Sequence, residues 1–186
     1  MNKITSIGYS HGRFQPFHKG HLPILLYILK NYDELWVGIS NPLRKLPDNI
    51  DTYAPKLKQS ILLARQANKN IFSFVSRRAM ILASLKDKKI DLRRVTILPH
   101  FGFYEEKNWA DFFPPKDRTT IVLHCKDPHH QAKLAQYQKT GWKTKTLPLL
   151  RKGFSGTKFH KKYPNGNWQT LVPDGTRRVI EKTSKS

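Results

Sequence analysis

Apolar residues recur along this chain in two alternating patterns, short runs and wider helical stripes. Short apolar runs of the kind that form buried strands occupy segments 4–10, 34–40, 95–98, 119–124 and 142–149. Between them lie segments whose apolar residues are three or four positions apart, as on one face of a helix. Strands that alternate with helices in this way predict an α/β fold built on a parallel sheet of about five strands.

The helical pattern is clearest in segment 18–31, where Leu22, Leu25, Leu26 and Leu29 form one apolar stripe. Further helices are expected at 56–67, from a cap at Ser73 to about residue 85, at 128–139 before Gly141, at 156–163 and at 173–183. We find no internal repeat and no low-complexity segment. The chain is therefore interpreted as one domain over 1–183, followed by a short polar tail at 184–186.

The composition is typical of a folded chain. Of its 186 residues 38% are hydrophobic, which suits one domain with a sizeable core in spite of the high charge. No apolar run approaches the roughly 18 residues of a membrane-spanning helix, and the first residues lack the apolar core of a signal peptide. The single cysteine, Cys125, excludes an intrachain disulfide. These features favour a cytoplasmic protein without a membrane partner.

The charge is strongly positive, because 34 Lys and Arg residues stand against 13 Asp and Glu and give a formal net charge of +21. Such an excess attracts phosphate, so a nucleoside triphosphate and nucleic acid are both candidate partners. The excess is spread along the chain, with +7 in residues 151–186 and +14 in residues 1–150. Dispersed charge is typical of solvated surface, and we therefore favour the nucleotide over nucleic acid.

One segment, Gly12-Arg13-Phe14-Gln15-Pro16-Phe17-His18-Lys19-Gly20-His21, carries candidate phosphate chemistry. It follows a predicted strand and opens a predicted helix, which places it at the carboxyl edge of the sheet, where α/β folds bind ligands. His18 and His21 are three residues apart, on one face of the predicted helix, and both can donate to one phosphate. Gly20 lets a nucleotide approach the backbone, and Arg13 adds a forked donor.

Two histidines at this spacing also occur in metal sites and on ordinary helix surfaces. A metal site is not favoured, because only one carboxylate lies near the segment and no third ligand is evident. An isolated pair would be interpreted as surface decoration. The residues around it favour phosphate binding instead.

The segment 12–21 closely resembles the signature of archaeal-type nicotinamide-mononucleotide adenylyltransferases, which are HxGH nucleotidylyltransferases. Phe154-Ser155-Gly156-Thr157 resembles the Ser-Gly-Thr motif of the same family. Asn165-Gly166-Asn167-Trp168 and Leu171-Val172-Pro173 resemble its C-terminal segment. The resemblance covers essentially the whole chain and implies a Rossmann-like fold of the HxGH nucleotidylyltransferase type.

The resemblance implies a role for each matching residue. His18 and His21 would stabilise charge on the α-phosphate and, with Arg13, form the catalytic set. The residues implied to bind ATP are Gly12, Arg13, Phe14, His18, Lys19, Gly20, His21, Ser155, Gly156, Thr157 and His160. Mg²⁺ would bridge the triphosphate of ATP, held mostly by phosphates and water, so no protein metal ligand is assigned. Members of the family are often oligomers, which implies a homo-oligomer here.

Several residues depart from the family pattern. His160 stands where the second motif usually has an arginine that contacts phosphate, so the charge there depends on pH and the fork is lost. Residues 44–70 form a basic insertion: a lid, an oligomer contact and an acceptor clamp remain open, and a solvated surface helix is favoured. His11, where many members are apolar, either faces the site or makes a structural hydrogen bond.

The acceptor side departs further. Asn41, Arg77 and Trp109 are the candidate acceptor-binding residues, but Gly102 stands where nicotinamide-binding members have an aspartate. Trp109 would stack on a heteroaromatic ring, with plain core packing as an equal alternative. His11 and Asn41-Pro42 are similar to a loosely defined subgroup of nucleotidyltransferases, which leaves the acceptor open.

The sequence thus predicts a nucleotidylyltransferase that transfers AMP from ATP to a phosphorylated acceptor and releases pyrophosphate. Nicotinamide mononucleotide is the leading acceptor, and the product would be a dinucleotide. Another nucleotide, a sugar phosphate or a nucleic-acid end is the alternative acceptor. A non-catalytic RNA- or nucleotide-binding protein of the same fold is the competing hypothesis, motivated by the charge of +21 and by His160.

Overall fold

The structure is a computed structural model that describes residues 5–40, 70–100, 113–124, 128–148 and 153–184. Outside the described residues lie Asn41, Trp109, Cys125, the helix predicted at 56–67 and the basic insertion up to residue 69. The predictions made for them are neither confirmed nor contradicted.

The described residues form five strands and five helices. The strands are β1 (Ile7–Gly12), β2 (Glu34–Ser40), β3 (Val95–His100), β4 (Thr119–His124) and β5 (Lys143–Leu147). The helices are α1 (Leu22–Asn31), α2 (Phe74–Lys86), α3 (Pro128–Lys139), α4 (Gly156–Lys162) and α5 (Asp174–Thr183). Short 3-10 turns lie at Leu92–Arg94, Lys116–Arg118 and Gln169–Leu171.

All five strands are parallel and lie in the order β3-β2-β1-β4-β5. In register, Ser10 of β1 pairs with Val37 of β2, and Tyr9 pairs with Ile121 of β4. The chain changes direction across the sheet between β1 and β4, which is the switch point where open α/β sheets bind ligands at the carboxyl ends of their strands. The predicted α/β fold with a parallel five-stranded sheet is confirmed.

Two strands differ from their predicted bounds. β1 begins at Ile7 instead of residue 4 and continues to Gly12, so that it ends at the candidate phosphate segment. β3 continues through Pro99 to His100, although a proline was expected to end it at residue 98. Among the described strands β3 pairs with β2 alone, so it is an edge strand there, and an edge strand accepts a proline because the missing N–H need not serve a second neighbour.

The helix that follows β1 begins later than predicted. It was expected from residue 18, but α1 begins at Leu22 with His21 as its N-terminal flanking residue and Pro23 in its first turn. The preceding amides have other partners, since Lys19 N–H donates to the Leu171 carbonyl and Gly20 N–H donates to the His18 ring. His18 and His21 therefore lie in a turn ahead of the helix.

The other helix predictions that fall within the described residues agree within one or two residues. Ser73 caps α2, as predicted, by accepting from the amide of Ser76 at 3.0 Å. α3 has its predicted bounds and is followed by Gly141 at φ +76°, a left-handed conformation that favours glycine. No helix in the described ranges is long and apolar enough to cross a membrane.

Apolar side chains cover both faces of the sheet. Successive residues of β1 point to opposite faces: Gly8 faces the larger core, where a Cβ would lie 2.3 Å from the Ile28 side chain of α1, while Tyr9 joins the smaller core. The smaller core consists of Tyr9, Ile121, Leu123, Tyr137 and Trp142, and α3 contributes Tyr137 to it. The two faces of β1 therefore lead to two different environments beside the switch point.

Helices α2 and α5 pack closely in the larger core. A Cβ on Gly175 would lie 2.5 Å from the backbone of Ala83 and Ser84, so the contact requires glycine. The Ser84 and Thr176 hydroxyls are hydrogen-bonded at 3.0 Å in the same interface. This packing anchors the C-terminal segment, whose Leu171 carbonyl accepts from the Lys19 amide in the phosphate segment.

Candidate nucleotide-binding site

The loop between β1 and α1 has a conformation set by its aromatic residues. Phe14 has φ +50°, a left-handed backbone that a bulky residue adopts only when its surroundings impose it. Its buried ring meets the His21 ring edge-on at 4.9 Å, and the Phe17 ring stacks on His21 at 5.7 Å. The two phenylalanines thus hold His21 in place, a role that the sequence alone did not indicate for Phe17.

His18 and His21 lie face to face, with ring centroids 3.6 Å apart and an angle of 20° between the planes. Nδ1 of each ring accepts a hydrogen bond from a backbone amide. The Gly20 N–H donates to Nδ1 of His18 at 3.1 Å, and the His18 N–H donates to Nδ1 of His21 at 3.2 Å. A neutral imidazole that accepts at Nδ1 carries its proton on Nε2. The loop therefore orients two Nε2–H donors side by side, although the rings are not on a helix as predicted.

Gly20 packs tightly against the histidine pair itself. A Cβ at this position would lie 3.0 Å from the His18 ring and 3.3 Å from Cβ of Phe154. Close approach of a nucleotide to the backbone at Gly20 remains a prediction. The contact that the structure shows is packing of the His18 ring and of the second motif against the glycine.

The second motif meets the first across the fold. Ser155 caps α4 by accepting from the amide of Lys158 at 3.2 Å, and a Cβ on Gly156 would lie 3.0 Å from the Gln15 carbonyl oxygen. The Ser-Gly-Thr segment thus packs against the phosphate segment, residues 12–21, although the two are far apart in the sequence. Thr157 is exposed there.

The remaining predicted triphosphate ligands border this junction. Arg13 and Lys19 are in the same loop, the first exposed and the second half-buried. His160 is half-buried on α4, with its ring edge-on to Phe159 at 5.9 Å. The structure brings the two motifs together, and phosphate contacts by these side chains stay predictions.

Gln15 and Arg77 hold the loop between β1 and α1 in place through hydrogen bonds to backbone groups. Gln15 is buried and exchanges two hydrogen bonds with the backbone of Phe72, at 2.8 and 3.0 Å. Arg77 is fully buried, and its guanidinium donates to the carbonyls of Arg13 and Ser40, both at 2.8 Å. Sequence reasoning missed Gln15 as a positioning residue, because a buried glutamine in a loop has no local signal.

Arg77 was predicted to bind the acceptor, which stays a prediction, and its observed bonds give it a positioning role. The guanidinium joins the end of β2 to the phosphate segment, and Nε adds a bond to the Ser73 carbonyl at 3.2 Å. Burial, and next the charge of Arg13, lower the pKa of Arg77 to about 10. The arginine thus remains cationic at neutral pH. Its charge lies next to the phosphate segment, since the guanidinium is bonded to the Arg13 carbonyl.

Replacement of Arg77 by lysine is expected to loosen the loop. Lysine has no donor equivalent to Nε of Arg77, so the charged hydrogen bond to the Ser73 carbonyl is lost, and the free energy of unfolding falls by about 2 kcal/mol. The Michaelis constant for the nucleoside triphosphate rises together with this loss. Urea unfolding and nucleotide titration measure the two effects, with Arg78→Lys on the exposed side of α2 as the matched control. Equal behaviour of the two variants would contradict the positioning role.

A second group of polar rings lies on the opposite face of the sheet. The Tyr9 hydroxyl is hydrogen-bonded to Nδ1 of His100 at 2.8 Å, and the His11 ring stacks on His100 at 4.2 Å. Gly38 makes this contact across β2 feasible, since a Cβ there would lie 2.0 Å from the Tyr9 oxygen. The His11 ring packs at the end of β1, with Tyr137 edge-on at 5.6 Å, and both alternatives stated for His11 stay predictions.

Burial keeps Tyr9 and His100 uncharged. It lowers the pKa of His100 to about 3, with a smaller contribution from the charge of Lys133, and it raises the pKa of Tyr9. A neutral histidine and a neutral phenol share one proton in their hydrogen bond. With the phenol as donor, the His100 proton is on Nε2.

The lowered pKa of His100 predicts sensitivity of the fold to acid. The unfolded chain binds a proton at this histidine below about pH 6.5 and the folded chain does not, so stability is complete above pH 6.5 and falls as the pH drops toward 3. The expected loss is about 2 kcal/mol between pH 6.5 and 5. Urea unfolding across this range, compared with His100→Asn, measures it, and parallel curves for the two proteins would refute it.

The described residues include no group of three or more His, Cys, Asp or Glu side chains arranged to hold a metal ion. The donors at the described site are imidazole and hydroxyl groups, since the amides of Gly20 and Lys19 are bonded within the fold. Such donors bind phosphate oxygens, whereas Mg²⁺ takes oxygen ligands.

Comparison with known proteins agrees with this geometry. The sequence profile of the family described as cytidylyltransferase-like matches residues 9–100. Nicotinamide-nucleotide adenylyltransferase 1 of Sulfolobus acidocaldarius is 33% identical over 91% of this chain and 85% of its own length. Phosphonoformate cytidylyltransferase of Streptomyces viridochromogenes is 27% identical over 97% of this chain and 93% of its own length.

A solved structure shares the fold. The bifunctional NMN adenylyltransferase/ADP ribose pyrophosphatase from Francisella tularensis superposes with a TM-score of 0.68 at 24% identity. The match covers 97% of this chain and 50% of that one, so this chain spans half the length of the bifunctional protein. At that identity the likeness concerns the fold alone.

An open parallel sheet whose HxGH loop is joined to a Ser-Gly-Thr segment defines a nucleotidyltransferase, the class to which these relatives also belong. The chain belongs to the HxGH nucleotidyltransferases as a divergent member of the archaeal-type nicotinamide-mononucleotide adenylyltransferase family, and its residues 9–100 are similar to the cytidylyltransferase-like family. Its relatives differ in nucleotide and in acceptor, so neither substrate follows from membership.

Proposed function

We propose that this protein transfers AMP from ATP to a small phosphorylated acceptor, with nicotinamide mononucleotide as the leading acceptor and NAD as the product. The observation that carries the proposal is the stacked pair of His18 and His21, each oriented by a backbone amide on Nδ1. Support comes from the relative in Sulfolobus acidocaldarius, which is a nicotinamide-nucleotide adenylyltransferase.

The reaction needs positioning and charge stabilisation and no protein nucleophile. An oxygen of the acceptor phosphate forms a bond to the α-phosphorus, the bond from that phosphorus to the bridging oxygen of the β-phosphate breaks, and pyrophosphate leaves. The two Nε2–H groups of His18 and His21 would donate to oxygens on the α-phosphate as negative charge builds there. Arg13 and Lys19, in the same loop, would hold the outer phosphates, with Ser155 and Thr157 opposite them.

Magnesium would arrive with the triphosphate. The donors of the described site fit phosphate oxygens, so Mg²⁺ would be held by the nucleotide phosphates and by water. It would neutralise the charge on the leaving pyrophosphate. The loop residues keep the α-phosphate in line while this charge moves.

A second candidate is cytidylyl transfer to a phosphonate or phosphate acceptor. It is favoured by the phosphonoformate cytidylyltransferase of Streptomyces viridochromogenes, which matches nearly the full length of this chain. The histidine pair acts on the α-phosphate, which ATP and CTP share, and so it does not distinguish the two. The bases must be separated by experiment.

The direct test is pyrophosphate release from ATP and from CTP, each with Mg²⁺ and with nicotinamide mononucleotide, phosphonoformate or a 5′-phosphorylated oligonucleotide. We expect release and a dinucleotide product, identified by mass, with ATP and nicotinamide mononucleotide. A product with CTP alone would replace the adenylyl assignment by the cytidylyl one. Absence of any product would refute both proposals. Omission of Mg²⁺ from the productive pair tests the metal requirement.

Nucleic acid remains a less favoured partner. The alternative of a non-catalytic RNA-binding protein is not proposed further, because the relatives are nucleotidyltransferases. Self-association and a cytoplasmic location stay predictions.

A further inference from the structure

Helix α4 carries three lysines on its exposed face. Lys158, Lys161 and Lys162 are all exposed, whereas Phe159 is buried in the larger core. Residues three and four positions apart lie on one face of a helix, so the three ammonium groups are neighbours there. We refer to these three lysines as the lysine face.

No acidic residue offsets these charges nearby in the chain. Residues 153–173 contain the three lysines and neither aspartate nor glutamate. Within the described ranges, none of the three ammonium groups is bonded to a carboxylate. Helix α5 differs, because Arg177 pairs there with Asp174 at 3.2 Å. Its next residue, Arg178, pairs with Asp87 of the segment after α2. The lysine face is therefore a concentration of uncompensated positive charge.

Ordinary helix surface explains only part of this arrangement. Lys161 and Lys162 are in the last turn of α4, where the helix dipole favours a cation. Lys158 is in the first turn, where the dipole disfavours one, and no acidic residue accompanies it there. Like charges three and four residues apart also repel each other along the helix. An anion that comes close to α4 would offset both effects.

The lysine face begins where the two motifs meet. Gly156, the first residue of α4, packs against the Gln15 carbonyl, and Phe154 packs against Gly20. A helix rises about 1.5 Å per residue, so Lys162 lies about 9 Å along the axis from Gly156. The Debye length is about 10 Å at an ionic strength of about 0.1 M. The field of the lysine face therefore reaches the junction that holds the candidate triphosphate ligands.

We propose that the lysine face steers the nucleoside triphosphate toward the candidate site during approach and does not contact it once it is bound. The inference rests on the proposed nucleotidyl transfer and adds a surface that sets the rate of its first step. A triphosphate carries more negative charge than a monophosphate acceptor, so it is attracted more strongly over the same distance. The base takes no part, so ATP and CTP are steered alike.

Steering and contact have different kinetic signatures. A charge that acts during approach changes the association rate constant and its dependence on salt. A charge bonded to the bound nucleotide changes the dissociation rate constant instead. The lysine face is exposed to solvent, and salt screens such charges efficiently. The two rate constants and their salt dependence therefore decide between the two roles.

The test uses stopped-flow fluorescence of the full chain with ATP and CTP analogues labelled on the ribose. The lysine-face variant carries Lys158→Gln, Lys161→Gln and Lys162→Gln, which keep the helix propensity. At about 0.1 M ionic strength we expect its association rate constant to fall about tenfold and its dissociation rate constant to change by less than about twofold. At about 1 M, where the Debye length is about 3 Å, it should associate within about twofold of the wild type.

A matched control removes the same charge at the other edge of the sheet. It carries Lys30→Gln, Lys86→Gln and Lys88→Gln, three exposed lysines in or just after the last turns of α1 and α2. Lys86 lies about 18 Å along α2 from Phe74, the first residue of that helix. A charge at this distance is largely screened at about 0.1 M, so the control should associate within about twofold of the wild type.

Equal association rate constants for the two triple variants would overturn the inference. A loss confined to dissociation would also overturn it, because the lysines would then be contacts. So would a lysine-face variant that loses binding of a 5′-phosphorylated oligonucleotide and keeps triphosphate association, or a wild type that binds neither analogue. Steered association in a protein that transfers no nucleotide would refute the proposed function alone, and transfer with unchanged association would refute the steering alone.

Discussion

Replacement of His18 by alanine is expected to lower the turnover number for nucleotidyl transfer by about 10²- to 10³-fold, the loss measured when one preorganised donor is removed from a developing charge. The ring is buried, and its Nδ1 is held by the Gly20 amide, so its donor is already oriented before substrate binds. Little reorganisation is then needed in the transition state. Pyrophosphate release under saturating substrates is the measurement.

A pair of variants separates the donor from the packing. The amide oxygen of His18→Asn can accept near the Nδ1 position but offers nothing at the Nε2 position, whereas the longer His18→Gln places an N–H close to the latter. We expect the asparagine variant to be as inactive as alanine and the glutamine variant to regain part of the activity. Equal activities for all three would show that the ring acts through packing alone.

The stacked arrangement of His18 and His21 predicts that the effects of replacing them are not independent. Because His18 and His21 share a ring contact at 3.6 Å and a backbone hydrogen bond, loss of either disturbs the other. The double alanine variant should therefore lose much less than the product of the two single losses, as for residues that act as a unit. Independent, multiplicative losses would indicate that the two rings act on separate phosphates.

Gly175→Ala is expected to cause the largest loss of stability, about 3 kcal/mol, at the upper end of the range for overpacked cores. The new Cβ would lie 2.5 Å from backbone atoms of Ala83 and Ser84, which cannot rotate away as a side chain can. Helices α2 and α5 must then separate, which also disturbs the Ser84–Thr176 hydrogen bond. Urea unfolding gives the change directly.

Gly175→Ala should also affect the phosphate segment. The segment leading into α5 contains Leu171, whose carbonyl accepts a hydrogen bond from the Lys19 amide. Because displacement of α5 would move this carbonyl, we expect the phosphate segment to shift and nucleotide binding to weaken. Glu181→Ala, an exposed change on the same helix, serves as the control and should stay within about 0.5 kcal/mol. A Gly175→Ala protein as stable as this control would show that the helices accommodate a methyl group.

The identity of the elements was largely predictable from the sequence. The apolar runs at β2 and β4 gave their bounds directly, and the Ser73 cap marked the start of α2. These features depend on neighbours a few residues away, and such patterns are visible in the chain itself. The HxGH segment was likewise found from its own ten residues.

The errors arose where distant residues compete with local preference. The α1 stripe suggested a start at residue 18, but the Lys19 amide is bound to Leu171, and the helix begins three residues after Lys19. Pro99 suggested a strand end, but the edge position of β3 tolerates it. The positioning bonds of Gln15 and Arg77 were invisible for the same reason, since their partners are backbone groups from other elements.

The sequence by itself determined the class of this protein, because a nucleotidyltransferase loop must combine phosphate donors and small residues at close spacing, and that spacing is local. Only the tertiary structure decided the orientation of the His18 and His21 donors and the residues that pack around them. Gly156 meets Gln15, and Tyr9 meets His100 over Gly38, because parallel strands bring their carboxyl ends to one edge of the sheet. Contacts between residues far apart in the chain depend on that shared edge, and no local pattern encodes them.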